Sequence, residues 1–224
     1  MNFSSHYLWE KGLGMECNTA SVVLQQAEYK KRQILFACVC TSDLDGHDGV
    51  EESGYFSERM TEWFYKRYLK QYGKDSDVDK AAGDILQEQE LILRELDRVH
   101  KKKEREPGVH FCVLLLQGNQ FVMLQKGKCK ILLLNKRYNI PQIKILEQFD
   151  EKGLCRGKVQ KNLGILLCTE SFAETVVREN YRDALFVEKK AEDSKLGKRL
   201  KEVWLGMEPE SREEATGAVY IRTY

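Results

Sequence analysis

Strand-forming and helix-forming segments come in blocks along this chain, and their order restricts the fold more than any other feature of the sequence. Three strand-like segments come first and two amphipathic helical segments follow. A run of short strand-like segments fills the middle, and two more helical segments precede a last strand. Such blocks are typical of layered α+β folds, in which strands that are neighbours in sequence pair antiparallel and helices cover the sheets. The sequence therefore predicts an α+β protein with antiparallel sheets flanked by helices.

Hydrophobic periodicity gives the bounds of these segments. We expect strands at 7–11, 21–29, 33–40, 110–116, 121–125, 129–134, 139–149, 163–168 and 218–224. We expect helices at 50–72, from Asp77 to the lysine run at 101–103, at 173–185 and at 192–205. Gly73 should end the first helix, Asp77 should cap the second, and Pro107-Gly108 should stop it. The segment 153–157 is predicted to be a loop.

Length and composition narrow the class of protein. A chain of 224 residues with 42% hydrophobic residues can bury one good-sized core, so we expect a single domain over residues 1–224. With 36 Lys and Arg against 35 Asp and Glu, the net charge is +1, which provides no global field for nucleic acid or an anionic membrane. We therefore expect neither as a partner, and the sequence leaves the oligomeric state open.

The sequence also predicts a cytoplasmic location. The longest apolar runs, 111–116 and 131–134, are far shorter than the roughly 20 residues that cross a bilayer, and residues 1–10 have no signal-peptide pattern. Seven dispersed cysteines, an odd number, suit reduced thiols in a reducing compartment. Cys38 and Cys40 are expected to be buried as small hydrophobic residues.

A hydrophobic strand, 33–40, runs directly into the acidic, glycine-containing loop 41–49. Within this loop, Asp45 and Gly46 would place a carboxylate beside an exposed backbone carbonyl. Hard cations such as Mg²⁺ and Mn²⁺ bind oxygen ligands of both kinds. Because Asp-Gly is also common turn chemistry, an ordinary turn and a metal site are both consistent with this loop.

Five short segments follow one another in an order that carries more information than any one of them. They are Asp45-Gly46-His47-Asp48-Gly49, Gly118-Asn119, Gly127-Lys128-Cys129-Lys130, the strand 165–168 with Thr169-Glu170-Ser171, and Glu213-Glu214-Ala215-Thr216. Together they resemble the metal-dependent protein serine/threonine phosphatase family (the PP2C or PPM family). The corresponding motifs of that family read Asp-Gly-His-Gly-Gly, Gly-Asn, Gly-Asp-Ser-Arg, Ser-Asp-Gly and Asp-Asn-x-Thr. The resemblance covers nearly the whole chain.

The resemblance implies a four-layer αββα sandwich of two antiparallel sheets flanked by helix pairs. It also implies a site for two Mn²⁺ or Mg²⁺ ions, where a metal-bound water attacks phosphoserine or phosphothreonine, and no organic cofactor. Carried over to this chain, the metal ligands would be Asp45, the Gly46 carbonyl, Glu170 and Glu213. His47 would lie beside the metals and could assist proton transfer.

The departures from the family pattern are as informative as the matches. The family's early acidic segment and phosphate-binding arginine correspond here to residues 15–21. In this segment the two acids of the family motif are replaced, and Met15 stands in the place of the arginine. Glu170 and Glu213 replace aspartates, and each is one methylene longer than the family's ligand. Asp43 and Asp48 are the remaining acids of the loop that could act as substitute ligands. These carboxylates are too few for two dications, so one weakly bound Mn²⁺ or Mg²⁺ ion and no metal at all are both consistent with the sequence.

Two functions of different classes therefore remain open. The first is a pseudophosphatase that acts as a binding or regulatory module, with a phosphorylated protein as its partner. The second is an active Mn²⁺- or Mg²⁺-dependent protein serine/threonine phosphatase with an altered metal site. In a third interpretation, the chain shares only the fold of this family. Its function would then depend on a surface other than the end that corresponds to the family's active site.

Overall fold

The structure is a computed structural model that describes residues 2–29, 32–71, 78–102, 108–137, 140–178, 181, 184–186 and 195–224. The predicted helix signals at Gly73, Asp77 and Pro107 lie outside the described residues, as do the start of the predicted helix 192–205 and residues 179–180 and 182–183 of the predicted helix 173–185.

Within these described residues, ten strands form two antiparallel sheets of five strands each. The β1 sheet has the order β1-β10-β9-β6-β7, and the β2 sheet has the order β2-β3-β4-β5-β8. The strands are β1 (Phe3–Glu10), β2 (Ala20–Tyr29), β3 (Arg32–Ser42), β4 (Val109–Gln117), β5 (Gln120–Lys126), β6 (Lys130–Arg137), β7 (Ile140–Ile145), β8 (Leu154–Lys158), β9 (Gly164–Cys168) and β10 (Thr216–Thr223).

The two sheets differ in how far apart in sequence their paired strands lie. In the β2 sheet, β2, β3, β4 and β5 follow one another in chain order and pair as consecutive antiparallel neighbours. In the β1 sheet, the edge strand β1 pairs with β10, so that Phe3 lies opposite Thr223 and Glu10 lies opposite Thr216. The first and last strands of the fold are therefore hydrogen-bonded neighbours.

Helices cover the outer face of each sheet. The helices are α1 (Gly46–Trp63), continued by a π-helical turn (Phe64–Tyr68) and the short α2 (Leu69–Gln71), then α3 (Val78–Lys102), α4 (Glu170–Val177) and α5 (Leu196–Leu205). Among the described helices, none combines the length and apolar character needed to span a membrane.

Alternation along β3 shows how the layers are held together. Leu35, Ala37 and Val39 point into a cluster between the sheets that also contains residues of β4, β6, β9 and β10. Phe36 and Cys38 point the other way, into a cluster with α1 and α3. A third cluster joins the outer face of the β1 sheet to α4 and α5. The four layers are thus helix, sheet, sheet and helix, which confirms the predicted αββα architecture.

Burial of the cysteines also agrees with the sequence. All seven are free thiols, and Cys38 and Cys40 are completely buried on the helix-facing side of β3. They pack as small apolar side chains between the β2 sheet and its helices.

The structure corrects several predicted bounds. The predicted loop 153–157 is wrong, because β8 (Leu154–Lys158) pairs with β5 there. Its residues Arg156–Lys158 are exposed at a sheet edge, so this strand has no buried side to give an alternating pattern. The first helix begins at Gly46 rather than at residue 50, α4 begins at Glu170 rather than at residue 173, and β7 ends at Ile145 rather than at residue 149.

Candidate functional site

One end of the sandwich collects the loops that carry most of the candidate residues, and we call it the loop end. There β3 ends at Ser42 opposite Val109, the first residue of β4. In the other sheet, Cys168 at the end of β9 lies opposite both Lys130 and Ala218. Residues that are far apart in sequence are therefore brought to the same end of the molecule.

Asp43 has several partners at the loop end. Its Oδ2 lies 2.7 Å from His110 Nε2, and its Oδ1 accepts a hydrogen bond of 2.5 Å from Lys128 Nζ. Its backbone N–H donates to the Gly108 carbonyl at 3.0 Å. Both carboxylate oxygens of Asp43 are thus engaged by protein groups.

These contacts shift the titration of Asp43. Partial burial tends to raise the pKa of this carboxyl, but the hydrogen bonds from Lys128 and His110 outweigh it and hold the pKa below its usual value. In turn, the hydrogen bond to Asp43 raises the pKa of Lys128 against partial desolvation, with the charges of Asp43, Glu214 and Glu170 adding to the effect. Lys128 therefore stays positively charged among carboxylates.

We expect the Asp43 contacts to appear in the acid stability of the protein. A carboxyl whose pKa is lowered by folding contributes stability above its unfolded pKa of about 3.9, and this contribution is lost as the pH falls through the folded value. Asp43→Asn should therefore flatten the fall of the melting temperature below about pH 4. Asp45→Asn removes the same charge from the same loop and controls for net charge; a wild-type slope in Asp43→Asn would contradict the assignment.

Gly127 holds His110 in place beside Asp43. It has φ +70°, in the left-handed region that favours glycine, and a Cβ at this position would lie 1.9 Å from His110 Nδ1. The tight turn between β5 and β6 therefore packs its backbone directly against the imidazole ring. The same turn places Lys128 against the other carboxylate oxygen of Asp43.

A second ion pair lies on the β1-sheet side of the loop end. Glu170, the first residue of α4, has its Oε1 3.1 Å from Lys130 Nζ at the start of β6. The hydroxyl groups of Thr169, Ser171 and Thr216 around this pair are buried without a hydrogen-bond partner. The loop end thus contains the ion pairs Lys128–Asp43 and Lys130–Glu170 and, beside the second, several buried hydroxyl groups without a hydrogen-bond partner.

Asp45 and Gly46 lie where β3 passes into α1. Asp45 is exposed, precedes the helix with extended φ and ψ of −85° and 165°, and makes no capping hydrogen bond. Gly46 has φ +60°, and a Cβ on Gly49 would lie 2.0 Å from the Leu44 carbonyl oxygen. Both glycines of the Asp-Gly-His-Asp-Gly segment are therefore required by the backbone itself, because the loop folds back tightly onto the first turn of α1.

The other candidate residues are Glu213, His47 and Asp48. Glu213 is exposed at the end of a short 3₁₀ turn (Glu210–Arg212), and its carbonyl oxygen packs 2.1 Å from the position of a Cβ on Gly12. His47 is largely exposed, with its Nδ1 3.7 Å from Glu51 in the next turn of α1. Asp48 lies in the first turn of that helix.

The contacts of Asp43 join it to His110 and Lys128, none of which belongs to the predicted ligand set. Within the described ranges, no three or more His, Cys, Asp or Glu side chains group at metal-binding distances. Sequence reasoning considered Asp43 and Lys128 separately but missed their contact with each other and with His110. In the register of β3 and β4, Thr41 lies opposite His110, so Asp43, two residues later, is brought near this histidine. A sequence-based alignment of the two strands could have predicted that contact.

Comparison with known proteins gives the same fold. No protein-family model matches the sequence, and no curated protein sequence matches it. A serine/threonine phosphatase of S. agalactiae aligns over 100% of both chains with a TM-score of 0.74 and 11% identity. PppA, described as a key regulatory component of T6SS in Pseudomonas aeruginosa, aligns over 100% of this chain and 99% of its own with a TM-score of 0.70 and 12% identity.

A third solved structure includes metal. The catalytic domain of the serine/threonine protein phosphatase PstP, in complex with two manganese ions, aligns over 98% of this chain and 96% of its own with a TM-score of 0.65 and 14% identity. Full-length alignment to such structures extends to both sheets and the helices on each side. This chain therefore has the fold of the PP2C-type serine/threonine phosphatases.

Proposed function

We propose that this protein is a pseudophosphatase, a binding or regulatory module in which lysine side chains replace the metal cations of a PP2C-type site. The observation that carries the proposal is the pair of contacts Lys128–Asp43 and Lys130–Glu170 at the loop end. An ammonium group beside each carboxylate balances its charge, which is one of the functions of a metal ion at such a site.

The set of oxygen ligands supports this interpretation. Two divalent cations about 4 Å apart repel each other strongly, so a site that holds them needs several convergent carboxylates. Here both oxygens of Asp43 are occupied by His110 and Lys128, and one oxygen of Glu170 is occupied by Lys130. A cation would have to displace these partners, so the residues fit a two-metal centre poorly.

A protein partner is the natural ligand for such a module. Lys128 remains 56% exposed and Lys130 28% exposed, so both ammonium groups are accessible to an incoming anionic side chain. A phosphorylated protein offers that chemistry, because phosphate accepts charge-assisted hydrogen bonds from lysine. The description of PppA as a regulatory component is compatible with a regulatory role on this fold.

One observation favours the alternative, an active Mn²⁺- or Mg²⁺-dependent protein serine/threonine phosphatase that uses Asp45, Gly46, Glu170 and Glu213. Asp45 is exposed directly before Gly46 and makes no capping hydrogen bond, so its carboxylate is sterically accessible to a cation. The same fold in PstP holds two manganese ions.

Calorimetric titration with Mn²⁺ tests the proposal. We expect no saturable binding to the wild-type protein at millimolar Mn²⁺. The double variant Lys128→Met/Lys130→Met should gain saturable binding, since it frees Asp43 Oδ1 and Glu170 Oε1 and keeps side chains of similar length. Lys126→Met, an exposed lysine of the same turn, is the matched control and should behave as the wild type.

Two outcomes would contradict the proposal in different ways. Wild-type binding of two ions that Asp45→Asn abolishes, together with hydrolysis of a phosphothreonine peptide, would establish the active phosphatase. Binding in neither the wild type nor the double variant would show that the lysines do not keep the metal out. A phosphopeptide titration of wild type and double variant then measures the contribution of the lysines to partner binding.

A further inference from the structure

The end of the β1 sheet opposite the loop end contains a polar cavity of ≈ 430 Å³. It lies where β6 and β10 end and where the chain passes from β8 to β9. Gly164, the first residue of β9, pairs there with both Leu134 and Arg222. The cavity is therefore separated from Asp43 and Glu170 by the length of the strands.

Arg222 lines this cavity and is the most unusual residue in it. Its side chain is among the largest fully buried ones of the described residues, at 2% exposure. The Nε and Nη1 atoms are buried and have no hydrogen-bond partner, and the guanidinium carbon lies 5.2 Å from the centre of the Phe186 ring. An aromatic ring attracts the cation but cannot accept its N–H groups as an oxygen anion does.

The rest of the lining is also suited to an anion. Lys136 and Lys161 line the cavity with Arg222, and Lys136 Nζ lies 5.7 Å from the same Phe186 ring. The amide side chains of Asn135, Gln160 and Asn162 complete the polar lining, and no acidic side chain lines it among the described residues. An oxygen anion in the cavity could accept charge-assisted hydrogen bonds from the guanidinium and the ammonium groups.

Hydrogen bonds to Thr223 fix the loop that forms one wall. Thr223 Oγ1 donates to the Gln160 carbonyl at 2.8 Å and accepts from the Leu163 N–H at 3.0 Å. The Asn162 N–H donates to the Thr223 carbonyl at 2.9 Å. Asn162 has φ 63°, the one positive φ of a non-glycine residue in the described part of the chain. The wall is thus a preorganised turn that places two amides beside the cations.

We propose that this cavity is a binding site for a phosphate-type oxyanion, free or carried by a small phosphate ester. A tetrahedral oxyanion has several acceptor oxygens and can engage a guanidinium, two ammonium groups and amide N–H groups at once. The volume exceeds that of one inorganic phosphate, which leaves room for the organic part of an ester. This site is independent of the loop end and does not rest on the pseudophosphatase proposal.

Calorimetric titration with inorganic phosphate and, separately, with glycerol phosphate tests the site at constant ionic strength. We expect saturable binding to one site in the wild-type protein, with tighter binding of the ester if its organic part is held. Lys161→Ala should weaken binding about tenfold, and Arg222→Met should abolish it. Lys158→Ala is the matched control, because this exposed lysine lies nearby in β8 but outside the cavity lining.

Other variants separate this site from the loop end. Lys128→Met should bind phosphate as the wild type does, because Lys128 contacts Asp43 at the far end. Circular dichroism verifies the fold of Arg222→Met, and the exposed Lys161 provides an independent test if that variant does not fold. The proposal is overturned if the wild type shows no saturable binding, if Lys161→Ala binds as the wild type, or if Lys128→Met instead loses the binding.

Discussion

Phe36→Ala is expected to lower the free energy of unfolding by about 3–5 kcal/mol, which is the usual cost of truncating a buried phenylalanine. Phe36 is completely buried in β3 and faces α1. Its ring stacks on Phe64 at 5.0 Å between centroids and is tilted against Trp63 at 6.4 Å. The substitution leaves a cavity and removes two aromatic contacts in the layer between the β2 sheet and its helices.

Urea unfolding at neutral pH measures this loss. Tyr7→Ala is the aromatic control, because Tyr7 is 63% exposed on β1 and should lose no more than about 1 kcal/mol. A loss below about 1 kcal/mol in Phe36→Ala would mean that the helices collapse into the space and that this aromatic cluster is not rigid.

Gly127→Ala is expected to be a strongly destabilising change at the loop end, at about 3 kcal/mol. A left-handed φ costs a residue with a Cβ about 1 kcal/mol, and overpacking adds about 1–3 kcal/mol. The added methyl would lie 1.9 Å from His110 Nδ1, so the imidazole must shift from the position in which its Nε2 contacts Asp43. The variant should therefore lose both stability and the acid sensitivity that the Asp43 contacts confer.

Gly118→Ala separates the two contributions. Gly118 has φ +61° in the turn between β4 and β5, but a Cβ there meets nothing within 4 Å. It should cost about 1 kcal/mol, from backbone strain alone. Equal losses of unfolding free energy in Gly118→Ala and Gly127→Ala would show that the His110 contact contributes nothing.

The sequence was sufficient to predict the fold class and most strands. Buried strands such as β3 and β4 alternate or run continuously apolar, and the amphipathic stripes of α1 and α3 are long enough to be unambiguous. β8 was missed because it is short, mostly exposed and held by its pairing with β5, a tertiary interaction without a local signal.

The site was less accessible to sequence reasoning than the fold. In sequence, Asp43 is 67 positions from His110 and 85 positions from Lys128. Their contacts therefore depend on strand register and on the turn at Gly127. Resemblance to a family indicates the positions at which metal ligands are expected. It does not indicate which side chains form ion pairs with the carboxylates at those positions. The Lys130–Glu170 pair illustrates this, because both residues lie in matched motifs and their pairing was not anticipated.

Pairing between β1 and β10 affects the order in which the two sheets can form. β2 with β3 and β4 with β5 form hairpins that close short loops, and β3 pairs with β4 across the helical segment between them, so these four strands can assemble while later parts of the chain are still being synthesised. β1 has its sheet neighbour more than 200 positions away and stays without it until β10 has been synthesised. Co-translational folding therefore starts in one sheet and ends in the other, and the earliest strand to emerge is among the last to be hydrogen-bonded.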